Sequence, residues 1–433
     1  MYRNDTIKFL NSLQRFGWQL GLEKITRILS EMGDPQLKFK SIHIAGTNGK
    51  GSTAAMLESI YRCAGYKTGL YTSPHLLQVN ERIQINRIPI SVEYLSFYVQ
   101  RLKDQIVSSR GTYFEALTAI AFQYFADVGV ELAVIEVGLG GRFDATNVIH
   151  PLLSIITDID FDHIEHLGET KVKIAQEKAG VIKSGSPCIS GSDDDEVNAV
   201  FRNISKERNA DFFELGHISS FHHVRLNDAF SEFDLVCQNR RYPNLKVGLT
   251  GRYQCKNASL AVAATEILQA GLPVKEVDIY NGLRDVRWRG RLEKLQDSPK
   301  IVIDVAHNPA AVSAVIYSVG EIYEYDRMIV LIGLLADKDY ATIARLITAR
   351  ADYVFVVTPK SERALPARQL GTEFGRYTTS FEVCKNRQTG FRRAVKHLQE
   401  NDLLCVIGSH YVVGEFVKFY EQADLLKNLH KKT

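Results

Sequence analysis

The chain has 433 residues, 45% of them hydrophobic and 24% charged, a globular balance that excludes a disordered or fibrous polypeptide. Its 53 basic and 50 acidic side chains leave a net charge of +3, without the basic surplus that grips nucleic acid. At about 150 residues per domain the length asks for two large domains or three ordinary ones.

Residues 1–20 interleave Arg3, Asn4, Asp5, Lys8 and Arg15 with apolar side chains. They hold no signal-peptide core, and no apolar run approaches a membrane span. The six cysteines, Cys63, Cys188, Cys237, Cys255, Cys384 and Cys405, are scattered singly, without zinc-ligand or disulfide-framework spacing. The expectation is a soluble, cytoplasmic protein with reduced thiols and no membrane partner.

Residues 4–13 and 22–32 have helical periodicity. Short apolar runs at 41–45 (SIHIA), 68–71, 132–137 (LAVIEV) and 152–157 (LLSIIT) predict buried strands, with helices over 50–64, 113–128 and 172–182. Strand and helix in alternation predict a parallel sheet with crossover helices. Asp193, Asp194, Asp195 and Glu196 follow Ser192 and suit a helix N-terminus, and residues 212–249 predict a β-rich insertion. After the polar stretch 296–300 (QDSPK) a second alternation starts, with strands expected at 301–305, 328–333, 353–357 and 403–408. This divides the chain into domains 1–296 and 297–433, with a small-molecule cleft expected between them.

The strongest local signal is Gly46-Thr47-Asn48-Gly49-Lys50-Gly51-Ser52-Thr53, between a predicted strand and a predicted helix. Glycines let the backbone N–H groups surround phosphate oxygens. The helix start adds partial positive charge, Lys50 reaches the terminal phosphates, and Ser52 or Thr53 offers a hydroxyl to phosphate or Mg2+. Ile44 stands where the standard P-loop begins with glycine, so the loop is a shortened variant. No guanine-reading Asn-Lys-x-Asp element accompanies it.

Further blocks follow in order: YTSPHL (71–76), TYFEALT (112–118), EVGLGGRFDATN (136–147), DHIEHLG (162–168), IAQEKAGVIK (174–183), RYQCKNASLA (252–261), WRGRLE (288–293), DVAHNP (304–309), GLLADKD (333–339) and GSHYVVGE (408–415). Together with GTNGKGS they resemble folylpolyglutamate synthase and dihydrofolate synthase, the folate branch of the Mur-ligase-like ATP-dependent amide ligases. The resemblance runs from about residue 20 to residue 415. It implies an α/β fold with a P-loop-containing Mur-ligase-like domain and a smaller Rossmann-like C-terminal domain. The implied reaction converts a pteroate or folate carboxylate and ATP to an acyl phosphate, which the amino group of L-glutamate attacks. ADP and phosphate are released.

The resemblance also implies roles by position. Lys50, Lys178 and His307 fall at catalytic positions, and Lys178 at one that is carbamylated in the family. Ser73, Glu136 and His163 match the Mg2+ set. Gly46, Thr47, Asn48, Gly49, Gly51, Ser52, Asn257, Arg291 and Asp304 match the nucleotide site. Gln19, Leu20, Gly21, Leu22, Tyr113, Phe114, Glu115 and Phe143 match the folate or pteroate site. His166 matches no role, and Asn308 shares the loop of His307. Two Mg2+ ions and a monovalent cation such as K+ are the implied cofactors. A monomer is expected, with ATP, L-glutamate and dihydropteroate or a reduced folate as its small-molecule partners.

Three departures stand out: Gln19 where the pteroate motif has aspartate, Val305 where glycine is usual, and Arg289 where proline is usual. The first weakens the dihydropteroate side of the reading and leaves a monofunctional folylpolyglutamate synthase as the alternative. Another Mur-like ligase acting on a cell-wall precursor and a non-catalytic nucleotide-binding regulator are the remaining rivals. Arg284, Arg287, Arg289 and Arg291 form a basic run suited to a polyanionic folate polyglutamate.

Overall fold

The computed structural model describes residues 2–13 and 21–430, so the expected ligand positions Gln19 and Leu20 lie outside the described residues. Two compact units are formed. The first comprises Met1–Val224, Glu232–Val247 and Gln254–Val286, and the second Arg225–Ser231, Gly248–Tyr253 and Arg287–Thr433.

The first unit is built on β1 (Lys40–Ala45), β2 (Thr68–Tyr71), β3 (Ile83–Ile85), β4 (Ile88–Pro89), β5 (Leu132–Glu136), β6 (Leu153–Ile156), β7 (Cys188–Ser190) and β8 (Phe212–Glu214). They form one sheet in the order β4-β3-β2-β5-β1-β6-β7-β8. All neighbours are parallel except that β3 returns against β2 and β4 against β3. Central β1 is buried from Ser41 onward, the condition of a parallel strand covered on both faces.

Helix Lys50–Cys63 leaves β1 and is buried from Gly51 to Tyr61. Helix Glu276–Asp285 crosses it so closely that a Cβ on Gly282 would lie 2.5 Å from Ile60 Cα. Helix Tyr113–Val128 opens on Thr112 and stops at Gly129, whose φ of 70° is left-handed. Its Phe122 and Phe125 pack into a core with Ile25, Ile28 and Leu29. Asp194 caps helix Asp195–Glu207 by accepting from the N–H groups of Glu196 (3.1 Å) and Val197 (3.3 Å), the use expected of that acidic run. The β-rich insertion is a separate three-stranded sheet, order β11-β10-β9, made of β9 (Ser219–Leu226), β10 (Ser231–Cys237) and β11 (Arg240–Val247).

The second unit holds β12 (Glu293–Asp297), β13 (Lys300–Ile303), β14 (Met328–Gly333), β15 (Tyr353–Val356), β16 (Phe381–Val383) and β17 (Leu403–Gly408), in the order β12-β13-β17-β14-β15-β16. Only β12 runs antiparallel. The polar stretch 296–300 is therefore the turn of a hairpin, with Asp297 opposite Lys300, and it lies inside the second unit. The compact units part earlier, after Val286. Val302, Val330, Ile332, Cys405 and Ile407 form a core with Val312, Val315 and Val319 of helix Pro309–Ile322. All six cysteines are free thiols. Among the described residues no helix is long and apolar enough to cross a membrane.

Candidate active site

At the end of β1, Gly46 (φ 141°) and Gly49 (φ 84°) turn the chain into helix Lys50–Cys63. Neither position has room for a side chain. A Cβ on Gly46 would lie 2.0 Å from Thr157 Oγ1, and one on Gly49 2.4 Å from Asn257 Oδ1. The segment after β6 holds the loop. Thr157 Oγ1 donates to Asn48 O (2.6 Å), Thr47 N–H to Asp158 O (2.7 Å) and Asp160 N–H to Thr47 Oγ1 (3.0 Å). Thr53 N–H makes the backbone bond to Gly49 O at 2.9 Å. The N–H groups of Lys50, Gly51 and Ser52 come before it, at the positive end of the helix, as anion binding requires. Lys50 Nζ donates to Gly46 O (2.9 Å) and Thr47 O (3.0 Å).

Glu136 ends β5 with 4% of its surface exposed, and its Oε2 accepts from Ser73 N–H at 3.0 Å. His163, with φ at 50°, precedes the short helix Ile164–Leu167. Its N–H donates to Asp162 Oδ1 (2.9 Å), and its Nε2 lies 3.8 Å from the same oxygen. Among the described residues no three His, Cys, Asp or Glu side chains gather as a metal cluster. A site here would be completed by a serine hydroxyl, and the buried Glu136 carboxylate beside Ser73 is the hard oxygen donor that Mg2+ prefers.

Lys178 ends helix Lys171–Lys178, is 4% exposed, and donates from Nζ to Gly46 O at 2.7 Å. Lys50 and Lys178 thus meet on one carbonyl. Burial, and secondly the Lys50 charge, lower the Lys178 pKa to about 7 against the pull of Asp162, Asp144 and Asp158. The glycine-rich loop after β5 braces this lysine's backbone. Arg142 N–H donates to Glu177 O (2.8 Å), and a Cβ on Gly141 would lie 2.7 Å from Lys178 O. Asn147 Nδ2 donates to Arg142 O (2.9 Å) and Gly180 O (3.1 Å). Asp144 closes the loop by accepting from Leu139 N–H (2.8 Å) and Thr146 N–H (3.0 Å).

Of the folate positions, Tyr113 and Phe114 are half-buried in the first turn of their helix. The Phe114 ring centre lies 6.0 Å from that of Tyr71, and the Arg82 guanidinium 5.5 Å from the Tyr113 ring. Arg142 covers Phe143 at 4.7 Å. Gly21 has a φ of 124°, and Leu22 packs against the Ile25 core. Glu115 secures its own helix start. Its Oε2 accepts from Thr112 N–H (2.7 Å) while its own N–H donates to Thr112 Oγ1 (3.3 Å). That is a capping box, and the spacing Thr112-x-x-Glu115 spells it in the sequence.

Asn257 lies against Gly49 and donates from Nδ2 to Gln254 Oε1 at 3.0 Å. Gln254 Nε2 is 3.4 Å from Ser52 Oγ. Gln254, Thr157 and Asn147 are contributors that sequence reasoning passed over. An amide or hydroxyl inside an otherwise apolar element carries no local signal of its distant partner.

In the second unit Asp304 follows β13 and is 3% exposed. It accepts from Leu292 N–H (2.8 Å), Ala306 N–H (2.7 Å) and Tyr253 Oη (3.4 Å). Burial raises its pKa, and the nearby Arg291 opposes the rise. His307 donates from Nδ1 to Val305 O (2.7 Å), which fixes the ring, and its centre lies 5.9 Å from that of His410. Asn308 caps helix Pro309–Ile322. Val305 is not among the residues with positive φ, so no glycine is needed there. Arg289 pairs with Glu293 (3.0 Å) and Glu421 (3.2 Å), and Arg284 with Asp285 (2.8 Å). Carboxylates thus already engage two cations of the expected basic run.

Residues 44–265 match the Mur ligase middle domain, and residues 290–410 the Mur ligase glutamate ligase domain. The fold and the phosphate loop therefore define an ATP-dependent ligase of the Mur class. The Bacillus subtilis dihydrofolate synthase/folylpolyglutamate synthase is 32% identical over 96% of this chain and 98% of its own length. A Mycobacterium tuberculosis folylpolyglutamate synthase solved with ADP and AMPPCP is 29% identical, with a TM-score of 0.90 over 96% of this chain and 99% of that one. A bifunctional synthase solved with Mn, AMPPNP and L-glutamate is 28% identical, with a TM-score of 0.84 over 96% and 98%. The chain belongs to the folylpolyglutamate synthase/dihydrofolate synthase family.

Proposed function

We propose that the protein joins L-glutamate to the carboxylate of dihydropteroate, to the γ-carboxylate of a reduced folate, or to both, through an acyl phosphate. The observation that carries this reading is the convergence of Lys50 and Lys178 on Gly46 O. It puts one amine for phosphate charge and a second, of lowered pKa, beside the same loop. A carboxylate becomes an electrophile once one of its oxygens is bound to phosphorus. The glutamate amine then attacks the carbonyl carbon, and phosphate leaves with that oxygen.

In this reading the first compact unit holds ATP and the folate or pteroate, and the second serves the glutamate-ligase half. Gly46 to Ser52 hold the phosphates, Asn257 the base, and Arg291 and Asp304 complete the nucleotide contacts. His307, whose Nδ1 donates to Val305 O, orients a reacting group. Ser73, Glu136 and His163 would hold Mg2+, which when bound neutralises phosphate charge. The neutral amine of Lys178 takes up CO2 with loss of a proton to give a carbamate anion, a ligand for a second Mg2+. A monovalent cation such as K+ belongs to the proposed set. Gly21, Leu22, Tyr113, Phe114, Glu115 and Phe143, with Gln19 and Leu20, form the proposed folate pocket. The enzyme acts as a cytoplasmic monomer.

The test offers dihydropteroate and tetrahydrofolate separately, with ATP, Mg2+ and L-glutamate, and identifies the products by mass. One added glutamate on each acceptor is expected of a bifunctional enzyme. Addition to tetrahydrofolate alone assigns a monofunctional synthase and points to Gln19. Ligation of neither by a folded, ATP-binding preparation refutes the proposal.

A further inference from the structure

We infer that Gln254 is a positioning residue that sets the purine preference of the nucleotide site, a conclusion that rests on the reading of Asn257 as the base contact. Gln254 and Asn257 lie three residues apart on helix Arg252–Ile267 and so share one face. Gln254 is fully buried. A buried amide is costly unless its donors and acceptor are used, and a leucine or methionine would fill the same volume without that demand. Both ends of this amide turn to the phosphate-loop side. Oε1 accepts from Asn257 Nδ2 at 3.0 Å, and Nε2 faces Ser52 Oγ at 3.4 Å.

The first of these bonds fixes which way Asn257 points. The two ends of an asparagine amide have nearly the same shape and opposite chemistry, so the end beside a base decides what that base must offer. With Gln254 Nε2 donating to Ser52 Oγ, its Oε1 is the end beside Asn257, and that acceptor pairs only with the Nδ2 end. Turning Asn257 over would set two carbonyl oxygens against each other. The Oδ1 end is therefore held on the Gly49 side, 2.4 Å from where a Cβ on Gly49 would stand. Adenine carries an amino donor at C6, where guanine carries a carbonyl acceptor. With Asn257 as the base contact, that carbonyl end accepts from the adenine amino group and repels the guanine oxygen. Through Ser52 the same glutamine ties the base contact to the start of the phosphate-binding helix.

The experiment measures ADP and GDP binding to the full chain by calorimetry, for the native protein and for Gln254→Met, Asn257→Ala and the double variant. Methionine keeps the unbranched shape and removes both hydrogen bonds. Gln254→Met is expected to lose about tenfold of the ADP-over-GDP preference, the order of one neutral hydrogen bond. Asn257→Ala should lose as much, and the double variant no more than either. Asn257→Ala losing the preference while folded Gln254→Met retains it overturns the role of Gln254 and leaves the nucleotide reading standing. Both single variants retaining it overturns the two together. Gln254→Glu guards against a folding defect in the methionine variant. Its carboxyl group still accepts from Asn257 Nδ2, so the preference is expected to survive, and its loss in a folded Gln254→Glu protein refutes the inference.

Discussion

Replacing Lys178 by methionine is expected to stabilise the protein at neutral pH while abolishing ligation. The folded pKa of Lys178 is about 7, against an ordinary value of 10.5. Between those values the unfolded chain holds a proton that the folded chain has shed. The stability contributed by this group is therefore complete above pH 10.5 and is lost progressively as pH falls toward 7. At pH 7.5 roughly three pH units of that window are spent, about 4 kcal/mol at about 1.4 kcal/mol per unit. Methionine escapes this cost and forfeits one hydrogen bond, about 1 kcal/mol. The acceptor it abandons, Gly46 O, keeps its bond from Lys50. The net gain is about 3 kcal/mol at pH 7.5, whereas at pH 9.5 the two terms are each about 1 kcal/mol and cancel. Urea denaturation of both proteins in CO2-free buffer at the two pH values measures this. An equal effect at both, or a loss of stability at pH 7.5, would show that the buried Lys178 amine carries no such pH-dependent cost.

Substitutions at three further positions separate local structure from chemistry. Gly49→Ala places a Cβ at a φ of 84° and 2.4 Å from Asn257 Oδ1, so about 1–2 kcal/mol of backbone strain should accompany a loss of ADP affinity, read by calorimetry. Glu115→Ala is expected to lower stability by about 1 kcal/mol through loss of the cap. Glu115→Gln keeps the acceptor and the stability, and a raised KM for reduced folate in that variant marks a pterin contact beyond the cap. Asp194→Ala removes a cap remote in sequence from every proposed site residue, so it should cost about 1 kcal/mol in a thermal melt and leave turnover unchanged.

Much of the fold was legible because long apolar runs and their caps are local. Strand 68–71 and helix 113–128 have the bounds expected, and the acidic run at 193–196 caps a helix. Strands β7 and β16 were missed at three residues each, too short for a period to show. The hairpin of β12 and β13 was misread because Gln296, Asp297, Ser298 and Pro299 look alike in a tight turn and in a linker. In the site, the phosphate loop declares itself through glycine, lysine and hydroxyl at fixed spacing. Gln254 does not, because its meaning depends on Ser52, two hundred residues earlier, and on which end of the Asn257 amide it holds. Glu115 shows the converse, a capping box written in four consecutive residues at a position that the family resemblance assigns to the folate site.

In the proposed reaction a folate carboxylate is activated as an acyl phosphate and then taken by glutamate. Its most direct test uses tetrahydrofolate labelled with 18O in the γ-carboxylate, incubated with ATP, Mg2+ and L-glutamate. One 18O atom is expected in each phosphate released and one in the new amide. Glutamylated product formed alongside unlabelled phosphate, or labelled phosphate with no glutamylated folate, would contradict it.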